Sequence, residues 1–266
     1  MAGDDGLDLE SLLDGPGFRL FRSLGSHIRN RARLLAGLFI FALVVGYPLA
    51  GELISWAVAQ PNLLPNDVQV VLLHPLEAVL LRLHVASNLG IFLVVLALLT
   101  DAVRLGSRSE VVREAMGEFS MPPLTSGVLR KILGLLAIAL GLATLGLLYA
   151  WHVLIPFLLT YLQADAASAG LTPTWQLQSW IGFLASLALG SMLSFEVPLV
   201  VLLLLRGGIA SREMLSSYRK HIWFGSIVIG AFLSPPDPLS LALIAVPMIV
   251  LFEVSLIADR VLPHGD

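Results

Sequence analysis

One acidic residue lies where a side chain could do chemistry inside a membrane: Glu196, in the apolar run from residue 180 to residue 205. A charged group at membrane depth costs at least about 2.5 kcal/mol, so it is a functional candidate by default. Pro198 follows two residues later, and a proline removes a backbone donor and kinks a helix. A carboxyl group beside a kink could face a cavity and accept a donor from a partner, take up a proton, or hydrogen-bond within its own bundle. The residues alone leave these roles open.

Composition places this carboxyl group in a membrane protein. Of the 266 residues, 57% are apolar and 13% are charged, and the mean hydropathy is +0.86. Soluble domains are about 45–50% apolar and about 25% charged. The chain has no cysteine, which excludes disulfides, thiol nucleophiles and thiolate metal sites. It also lacks a Ser-His-Asp arrangement, a glycine-rich phosphate loop and a helical two-histidine spacing, so we expect no enzyme, no cofactor, no metal and no nucleic-acid partner.

Six apolar segments predict an all-α, polytopic membrane protein with six transmembrane helices. About 20 apolar residues cross a hydrocarbon layer of about 30 Å. The fifth segment has only twelve residues, or about 18 Å of helix, so it must thin the bilayer or be sheltered by its neighbours. Gly46 and Pro48 are expected to end the first helix. The predicted segments are residues 34–50, 75–100, 132–159, 180–205, 222–233 and 239–258.

The basic residues predict the orientation of these helices. Fifteen of the 16 Lys and Arg residues lie before the first segment, after the last one, or in the second and fourth connections; only Arg82 does not. Positive charge stays cytoplasmic during insertion, so both termini are predicted to be cytoplasmic. We expect residues 1–33 to form an acidic and then basic arm, residues 34–260 the membrane domain, and residues 261–266 a short tail.

Other polar residues in the segments have less costly positions. Glu77 and Glu253 lie near segment ends, where water is close. Arg82 is expected to snorkel outward or to pair with Glu77. Asn88 is expected to hydrogen-bond between helices.

The chain resembles the TatC family, the C subunit of the twin-arginine protein translocase. The resemblance rests on short motifs that recur in the family's order between residues 75 and 260. They are Phe-Glu-x-Pro in the fourth helix, Gly-Ile-x-Ser-x-Glu-x-Leu in the next loop, Pro-Pro-Asp-x-x-Ser in a turn, and Ala-x-Pro-x-x-x-Leu-Phe-Glu in the last helix. The matching residues are Phe195, Glu196, Pro198, Gly208, Ile209, Ser211, Glu213, Leu215, Arg219, Pro235, Pro236, Asp237, Ser240, Ala245, Pro247, Leu251, Phe252 and Glu253, with Pro75, Glu77, Gly146, Tyr149, Trp151 and Pro156 upstream.

The resemblance implies a concave bundle in the cell membrane, prokaryotic or organellar, that exports folded proteins. In that family the cytoplasmic face binds the twin-arginine motif of a signal peptide. Single-span partners of the TatA and TatB type associate with it, and the proton-motive force drives transport. Carried over to this chain, the resemblance implies that Glu196 faces a concave groove and contacts partner or signal-peptide segments.

Two departures from the family pattern concern signal recognition. The amino-terminal motif is kept only as Arg31, Arg33, Leu34 and Leu35, and the first cytoplasmic loop keeps Phe119, Pro122 and Leu124. Val128 replaces the glutamate that would pair with the signal's arginines, and such a pair contributes geometry as well as energy. Glu118, Glu114 or Glu110 could substitute, and Glu118 is favoured because it adjoins Phe119. The predicted signal-binding residues are Glu118, Phe119, Pro122, Leu124, Arg31 and Arg33.

Three alternatives to a signal receptor stay open. A divergent paralogue would keep the fold and lose or alter signal recognition. A proton-coupled secondary transporter would use Glu196 as a relay, although the chain shows no internal repeat of the kind such folds usually carry. A membrane enzyme would need polar residues converging at one depth, and only isolated ones are found.

Overall fold

The computed structural model describes residues 16–60, 63, 69–106, 126–170, 174–206, 210–234 and 237–261. These residues form helices joined by short connections and one pair of strands. A single π-helical turn, Ala150–Leu154, joins the third helix to the fourth without a break. The elements are α1 (Pro16–Val58), β1 (Gln69–Val71), α2 (Glu77–Gly106), α3 (Ser126–Tyr149), α4 (Ile155–Ser168), β2 (Thr174–Gln176), α5 (Leu177–Arg206), α6 (Arg212–Ser217), α7 (Arg219–Leu233) and α8 (Pro238–Val261).

Five helical stretches in the described ranges are long and apolar enough to cross a membrane, and they coincide with five of the six predicted segments. The predicted fifth segment is α7, which has 15 residues and is therefore about 22 Å long. The predicted shortness of this helix is confirmed, whereas a count of six crossings stays a prediction. The five stretches are Arg31–Val58, Glu77–Asp101, Ile132–Ser168, Leu177–Arg206 and Pro238–Arg260.

Two predicted helix ends are wrong. Helix α1 passes through Pro48 and continues to Val58, because breaking a helix inside lipid would leave backbone groups without partners. The third predicted segment continues beyond residue 159 to Ser168, and Pro156 lies in the first turn of α4. The helix accommodates this proline directly after the π-helical turn, where the Ile155 N–H donates to the Ala150 carbonyl five residues earlier and the regular α-helical pattern is interrupted.

The chain divides into two compact units, Met1–Gly37 and Leu38–Asp266. In the first unit, the described residues belong to the amino-terminal part of α1. The predicted boundary between an arm and the membrane domain after residue 33 stays a prediction.

Helix α5 is the centre of the second unit, where it packs against α2, α3 and α8. Leu187 of α5 is fully buried in one apolar cluster with Leu154 of the π-helical turn and Leu158 of α4. Gly146 on α3 permits the closest approach, since a Cβ atom there would lie 2.6 Å from the carbonyl oxygen of Ser191. Small residues let membrane helices come close enough for van der Waals contact.

Two short strands join connections that are far apart in the chain. β1 and β2 pair in parallel, with Val70 opposite Trp175. They precede α2 and α5, so the sheet holds the beginnings of these two helices together. The sequence analysis did not predict these strands.

Candidate functional site

Glu196 is buried inside the bundle without a hydrogen-bond partner. Its side chain is 1% exposed, and neither carboxyl oxygen has a partner in the described part of the chain. One turn earlier on α5, the Ser191 hydroxyl is also buried and unpartnered. An unsatisfied buried polar group costs about 1–3 kcal/mol. The carboxyl group is therefore not part of an internal hydrogen-bond network.

In this conformation Glu196 does not open onto the surface, since only 1% of the residue is exposed. The carboxyl group is enclosed by its own helices, because α5 is packed on several sides. Helix α5 also continues through Pro198 to Arg206, so the proline does not end it. A role of Glu196 and Pro198 in binding partners stays a prediction.

An apolar cavity begins one helical turn from Glu196. It has a volume of about 450 Å³ and is lined by α1, α2, α3, the π-helical turn, α4 and α5. Its α5 residues run from Ile181 to Met192. Since Met192 precedes Glu196 by four residues, both side chains lie on the same face of α5. We call this space the apolar cavity.

Asn88 is the polar residue of the apolar cavity. Its Nδ2 atom is buried and has no acceptor among the described residues. The expected hydrogen bond between helices is therefore not formed by this donor. The sequence indicated a polar residue at this depth but not that it would line a cavity.

An aromatic contact holds the helix next to Glu196. The rings of Tyr149 on α3 and Phe195 on α5 lie 5.7 Å apart. The Tyr149 hydroxyl donates a hydrogen bond to the Leu243 carbonyl of α8 at 3.3 Å. Three helices therefore meet at this level, and they hold the depth and rotation of α5.

Glu77 joins the two strand-bearing connections. Its Oε1 atom accepts hydrogen bonds from the backbone N–H groups of Leu73 and His74, at 3.0 and 2.9 Å. The same oxygen accepts a third from Gln176 Nε2 at 2.7 Å, and the side chain is 1% exposed. Pro75 lies in the turn between these residues. Glu77 has the geometry of a structural cross-link.

Arg82 was expected either to snorkel outward or to pair with Glu77. It does not pair with Glu77. Its guanidinium lies over the ring of Tyr47, 5.9 Å from the centroid. It also lies against Gly51 of α1, where a Cβ atom would be 3.3 Å from the arginine Nε. The side chain remains exposed, and no acidic residue in the described ranges forms an ion pair with it.

A polar hollow lies between the beginning of α5 and the end of α7. It has a volume of about 470 Å³, and its walls include His84, Gln178, Ser186 and Ser234. His84 Nε2 and Ser186 Oγ form a hydrogen bond of 3.2 Å. The Ser234 hydroxyl is buried and has no partner in the described part of the chain. The sequence analysis did not connect these residues, because they come from three separate helices.

Glu253 fastens the short helix α7 to α8. Trp223 Nε1 donates a hydrogen bond to Glu253 Oε1 at 3.0 Å. Arg219 Nε lies 3.0 Å from the same oxygen, but off the N–H direction, so this contact is an ion pair without a hydrogen bond. We call Glu253, Trp223 and Arg219 the clasp.

We expect Glu253→Ala to lower the free energy of unfolding by about 1–2 kcal/mol, because it removes both clasp contacts at a partly exposed site. Glu253→Gln keeps an oxygen that can accept from Trp223 and should cost about 0.5 kcal/mol, the value of an exposed ion pair. Thermal unfolding in detergent measures both. Equal losses for the two variants would show that the ion pair, not the indole contact, holds α7.

The remaining predicted residues occupy separate places. Asp237 directly precedes α8, and its Oδ1 accepts a hydrogen bond from the Ser240 backbone N–H at 2.7 Å, which satisfies an unpaired donor of the first helical turn. Arg31 and Arg33 lie on α1 in the first unit. Eight predicted residues or alternatives lie outside the described residues: Glu110, Glu114, Glu118, Phe119, Pro122, Leu124, Pro235 and Pro236.

The five long apolar helices of the described ranges indicate a polytopic α-helical membrane protein. The family profile described as TatC, Sec-independent protein translocase protein, matches residues 111–247, which is just over half of the chain. The chain belongs to the TatC family.

Individual relatives agree with this assignment. The chain is 27% identical over 239 residues to the Sec-independent protein translocase protein TatC of Halalkalibacterium halodurans, covering 88% of this chain and 87% of that one. It is 32% identical over 162 residues to TatC of Escherichia coli, covering 61% and 62% of the two chains. A crystal structure described as the twin arginine translocase receptor TatC superposes with a TM-score of 0.67 at 22% identity, over 90% of this chain and 98% of that one.

Family membership confirms three expectations. The chain is an integral protein of the cell membrane, it has the TatC fold, and it is a component of a protein translocase that works with other Tat subunits. The identity of the partners and the roles of the predicted site residues are more specific than family membership shows, and they remain proposals.

Proposed function

We propose that this chain is the signal-peptide receptor and assembly core of a twin-arginine translocase that exports folded proteins using the proton-motive force. The observation that carries the proposal is the buried carboxyl group of Glu196, whose two oxygens have no partner in the described part of the chain. A group of this kind is costly unless something outside the bundle satisfies it in another state.

A membrane helix with one polar side chain is a suitable outside partner for Glu196. Inside lipid, an unpaired hydroxyl or amide on such a helix has few acceptors. It would therefore readily donate a hydrogen bond to a carboxyl group on a neighbouring helix. The cavity residue nearest to Glu196 on the same face of α5 is Met192, which is unbranched and repacks easily. Rotation of Met192 would extend the apolar cavity toward the carboxyl group and admit the partner's side chain.

The short helix α7 offers a second surface to single-span partners of the TatA and TatB type. It spans about 22 Å against a hydrocarbon layer of about 30 Å. Its outward residues Phe224 and Phe232 are 68% and 86% exposed, and the polar hollow lies at its end. A partner helix with a polar residue near its own end would cover the apolar face and satisfy Ser234.

Signal recognition is assigned to the cytoplasmic loop and the beginning of the first helix. Glu118 would accept the signal's arginine pair, and Phe119, Pro122, Leu124, Arg31 and Arg33 are the other residues that the family motifs assign to signal binding. This assignment depends on the family motifs that the loop keeps. A carboxylate that accepts two arginine N–H groups gives orientation as well as affinity.

The proposed function is tested by export of a folded reporter with a twin-arginine signal, in a strain that lacks its own C subunit. We expect this chain to restore export, and a reporter with two lysines in place of the arginines to remain inside. Arginine presents a planar fork that lysine cannot reproduce. A chain that is inserted in the membrane and exports neither reporter would be a divergent paralogue, and the proposal would be wrong.

We expect Glu118→Ala to reduce crosslinking of a twin-arginine peptide about tenfold, because charge-assisted hydrogen bonds contribute about 1.5–3 kcal/mol. Glu110→Ala is the matched control in the same loop and should retain crosslinking. If both variants crosslink as well as the parent chain, Glu118 is not the substitute for the missing glutamate at Val128.

A further inference from the structure

We propose that Tyr149 is a positioning residue for Glu196. Its hydroxyl supplies the hydrogen bond that Pro247 removes from α8, and its ring holds Phe195, the chain neighbour of Glu196. One side chain of α3 therefore fixes the helix that carries the buried carboxyl group. The importance of Glu196 for docking rests on the proposed function, whereas the contacts of Tyr149 do not depend on it.

Pro247 interrupts the hydrogen bonds inside α8. The helix runs from Pro238 to Val261 and contains this proline in its interior. Proline has no backbone N–H group, so the carbonyl of Leu243, four residues earlier, loses its helical donor. Inside lipid, a carbonyl group without a donor is costly because no water is present to supply one. The turn between Leu243 and Pro247 is therefore the part of α8 that bends most easily.

The Tyr149 hydroxyl replaces the missing donor from a neighbouring helix. It donates a hydrogen bond to the Leu243 carbonyl oxygen at 3.3 Å. This is the same carbonyl group that Pro247 leaves without an N–H donor. Buried backbone carbonyl groups are almost always paired, and neighbouring helices supply the partners at proline sites in membrane proteins. Tyr149 therefore holds α8 at its weakest turn.

The residue after Leu243 carries this effect to α5. Ile244 is 1% exposed, and a Cβ atom at Gly190 of α5 would lie 3.0 Å from its Cδ1. The Ser194 hydroxyl, which donates to the Gly190 carbonyl at 2.7 Å, also lies 3.4 Å from the Ile244 carbonyl oxygen. Gly190 and Ser194 lie within two helical turns before Glu196. A change in the bend of α8 would therefore move the part of α5 that carries Glu196.

The ring of Tyr149 holds the same part of α5 directly. Its centroid lies 5.7 Å from that of the Phe195 ring, with an interplanar angle of 36°. Aromatic pairs at this distance stabilise packing beyond the area that they bury. Tyr149 thus contacts α5 through its ring and α8 through its hydroxyl. Loss of the hydroxyl alone should let α8 bend and open the enclosure of Glu196, which is 1% exposed in this conformation.

The test measures how fast Glu196 reacts with dicyclohexylcarbodiimide, an apolar reagent that modifies carboxyl groups inside membrane proteins. The full-length chain is labelled in detergent, digested and analysed by mass spectrometry. Tyr149→Phe keeps the ring and removes the hydroxyl, and we expect it to raise the labelling rate of Glu196 about fivefold to tenfold. Loss of one hydrogen bond changes a local opening equilibrium by about this factor. Labelling of Glu77 in the same molecule should not change, and Tyr161→Phe, at an exposed tyrosine of α4, should label as the parent chain does.

Replacement of Pro247 separates the proposed contact from a general loss of packing. Pro247→Ala gives the Leu243 carbonyl an N–H donor, so the tyrosine hydroxyl is no longer needed there. In this background, Tyr149→Phe should leave the labelling rate of Glu196 unchanged. Pro48→Ala, which restores a donor inside α1, is the matched control. In the Pro48→Ala background, Tyr149→Phe should still raise the labelling rate about fivefold to tenfold.

Thermal unfolding gives a second measurement of the same contact. Tyr149→Phe should lower the Tm of the parent chain by about 2–4 °C, because a buried carbonyl group loses its donor. In the Pro247→Ala background the same substitution should lower the Tm by about 1 °C or less. Size-exclusion profiles report whether each variant is folded.

Three results would overturn the proposal. They are equal labelling of Glu196 in Tyr149→Phe and the parent chain, an equal effect of Tyr149→Phe with and without Pro247, and loss of the effect in the Pro48→Ala background. The second result would mean that Tyr149 only fills space between the helices. None of these measurements uses export, so the proposed function is tested separately. Faster labelling of Glu196 with unchanged export of the folded reporter would count against docking at Glu196 and leave the role of Tyr149 intact.

Discussion

Replacement of Glu196 by leucine is expected to raise the stability of the chain and to lower its export activity at the same time. Both carboxyl oxygens are buried without partners among the described residues, so their removal should raise the free energy of unfolding by about 1–3 kcal/mol. Export should fall because a partner's donor loses a contact of about 1.5–3 kcal/mol, which is about a tenfold to hundredfold loss in affinity. Thermal unfolding and export of a folded reporter measure the two effects.

The choice of leucine and of the control variant matters for this result. Leucine has about the volume of glutamate, whereas alanine would add a cavity that destabilises by itself. Glu196→Gln keeps the size and one oxygen acceptor, and it should retain part of the export. Ser191→Ala removes a different buried hydroxyl of the same helix that has no partner among the described residues, and it should raise stability slightly without reducing export.

A fall in the stability of Glu196→Leu would contradict this account. It would show that the carboxyl group stabilises the bundle through contacts of its own, and that its effect on export is indirect. Unchanged export with raised stability would equally exclude Glu196 as a docking point. A role of Glu196 as a docking point requires that Glu196→Leu raise the free energy of unfolding and lower export of the folded reporter.

Replacement of Glu77 by leucine is expected to give the largest loss of stability, about 3–5 kcal/mol. One carboxyl oxygen accepts from Leu73, His74 and Gln176. Its removal leaves three donors without an acceptor, at about 1–3 kcal/mol for each one that stays buried. The strands β1 and β2 should separate, since Gln176 belongs to β2 and Leu73 follows β1 by two residues.

Hydrogen exchange locates this effect within the chain. The backbone amides of Leu73 and His74 should exchange much faster in Glu77→Leu, while amides in α8 should change little. Glu77→Gln keeps the accepting oxygen and should lose only about 1 kcal/mol, for an amide group without an acceptor. If the leucine and glutamine variants were equally stable, Glu77 would not be the cross-link between the two connections.

The helices follow from the sequence because membrane insertion depends on local properties. Each of the five long spans was predicted from the length and apolarity of one segment, and the short α7 from its twelve apolar residues. The free energy of transferring a side chain into lipid depends mainly on that residue alone, so the spans can be predicted without knowing the tertiary structure. The predicted ends of the first helix near Pro48 and of the third helix at residue 159 were wrong, because lipid makes it unfavourable to end a helix at membrane depth.

The sites were predicted less completely, because a contact depends on residues that are distant in the chain. Glu77 was recognised as an acidic residue near a helix end, but its partner Gln176 is 99 positions away. Asn88 and Arg82 were recognised as polar residues, whereas the position of Asn88 in the apolar cavity and the contact of Arg82 with Gly51 depend on how the helices pack. The aromatic clasp partner of Glu253 was missed for the same reason.

The sequence by itself determined that this is a polytopic membrane protein, that one carboxyl group lies at membrane depth in the fourth long helix, and that the motifs are those of the TatC family. Only the tertiary structure decided that Glu196 is enclosed and has no hydrogen-bond partner among the described residues, that Glu77 joins two connections, and that an apolar cavity contains Asn88. The physical reason is that the cost of placing a residue in lipid is a property of that residue. Whether its polar atoms find partners depends on which helices pack against it.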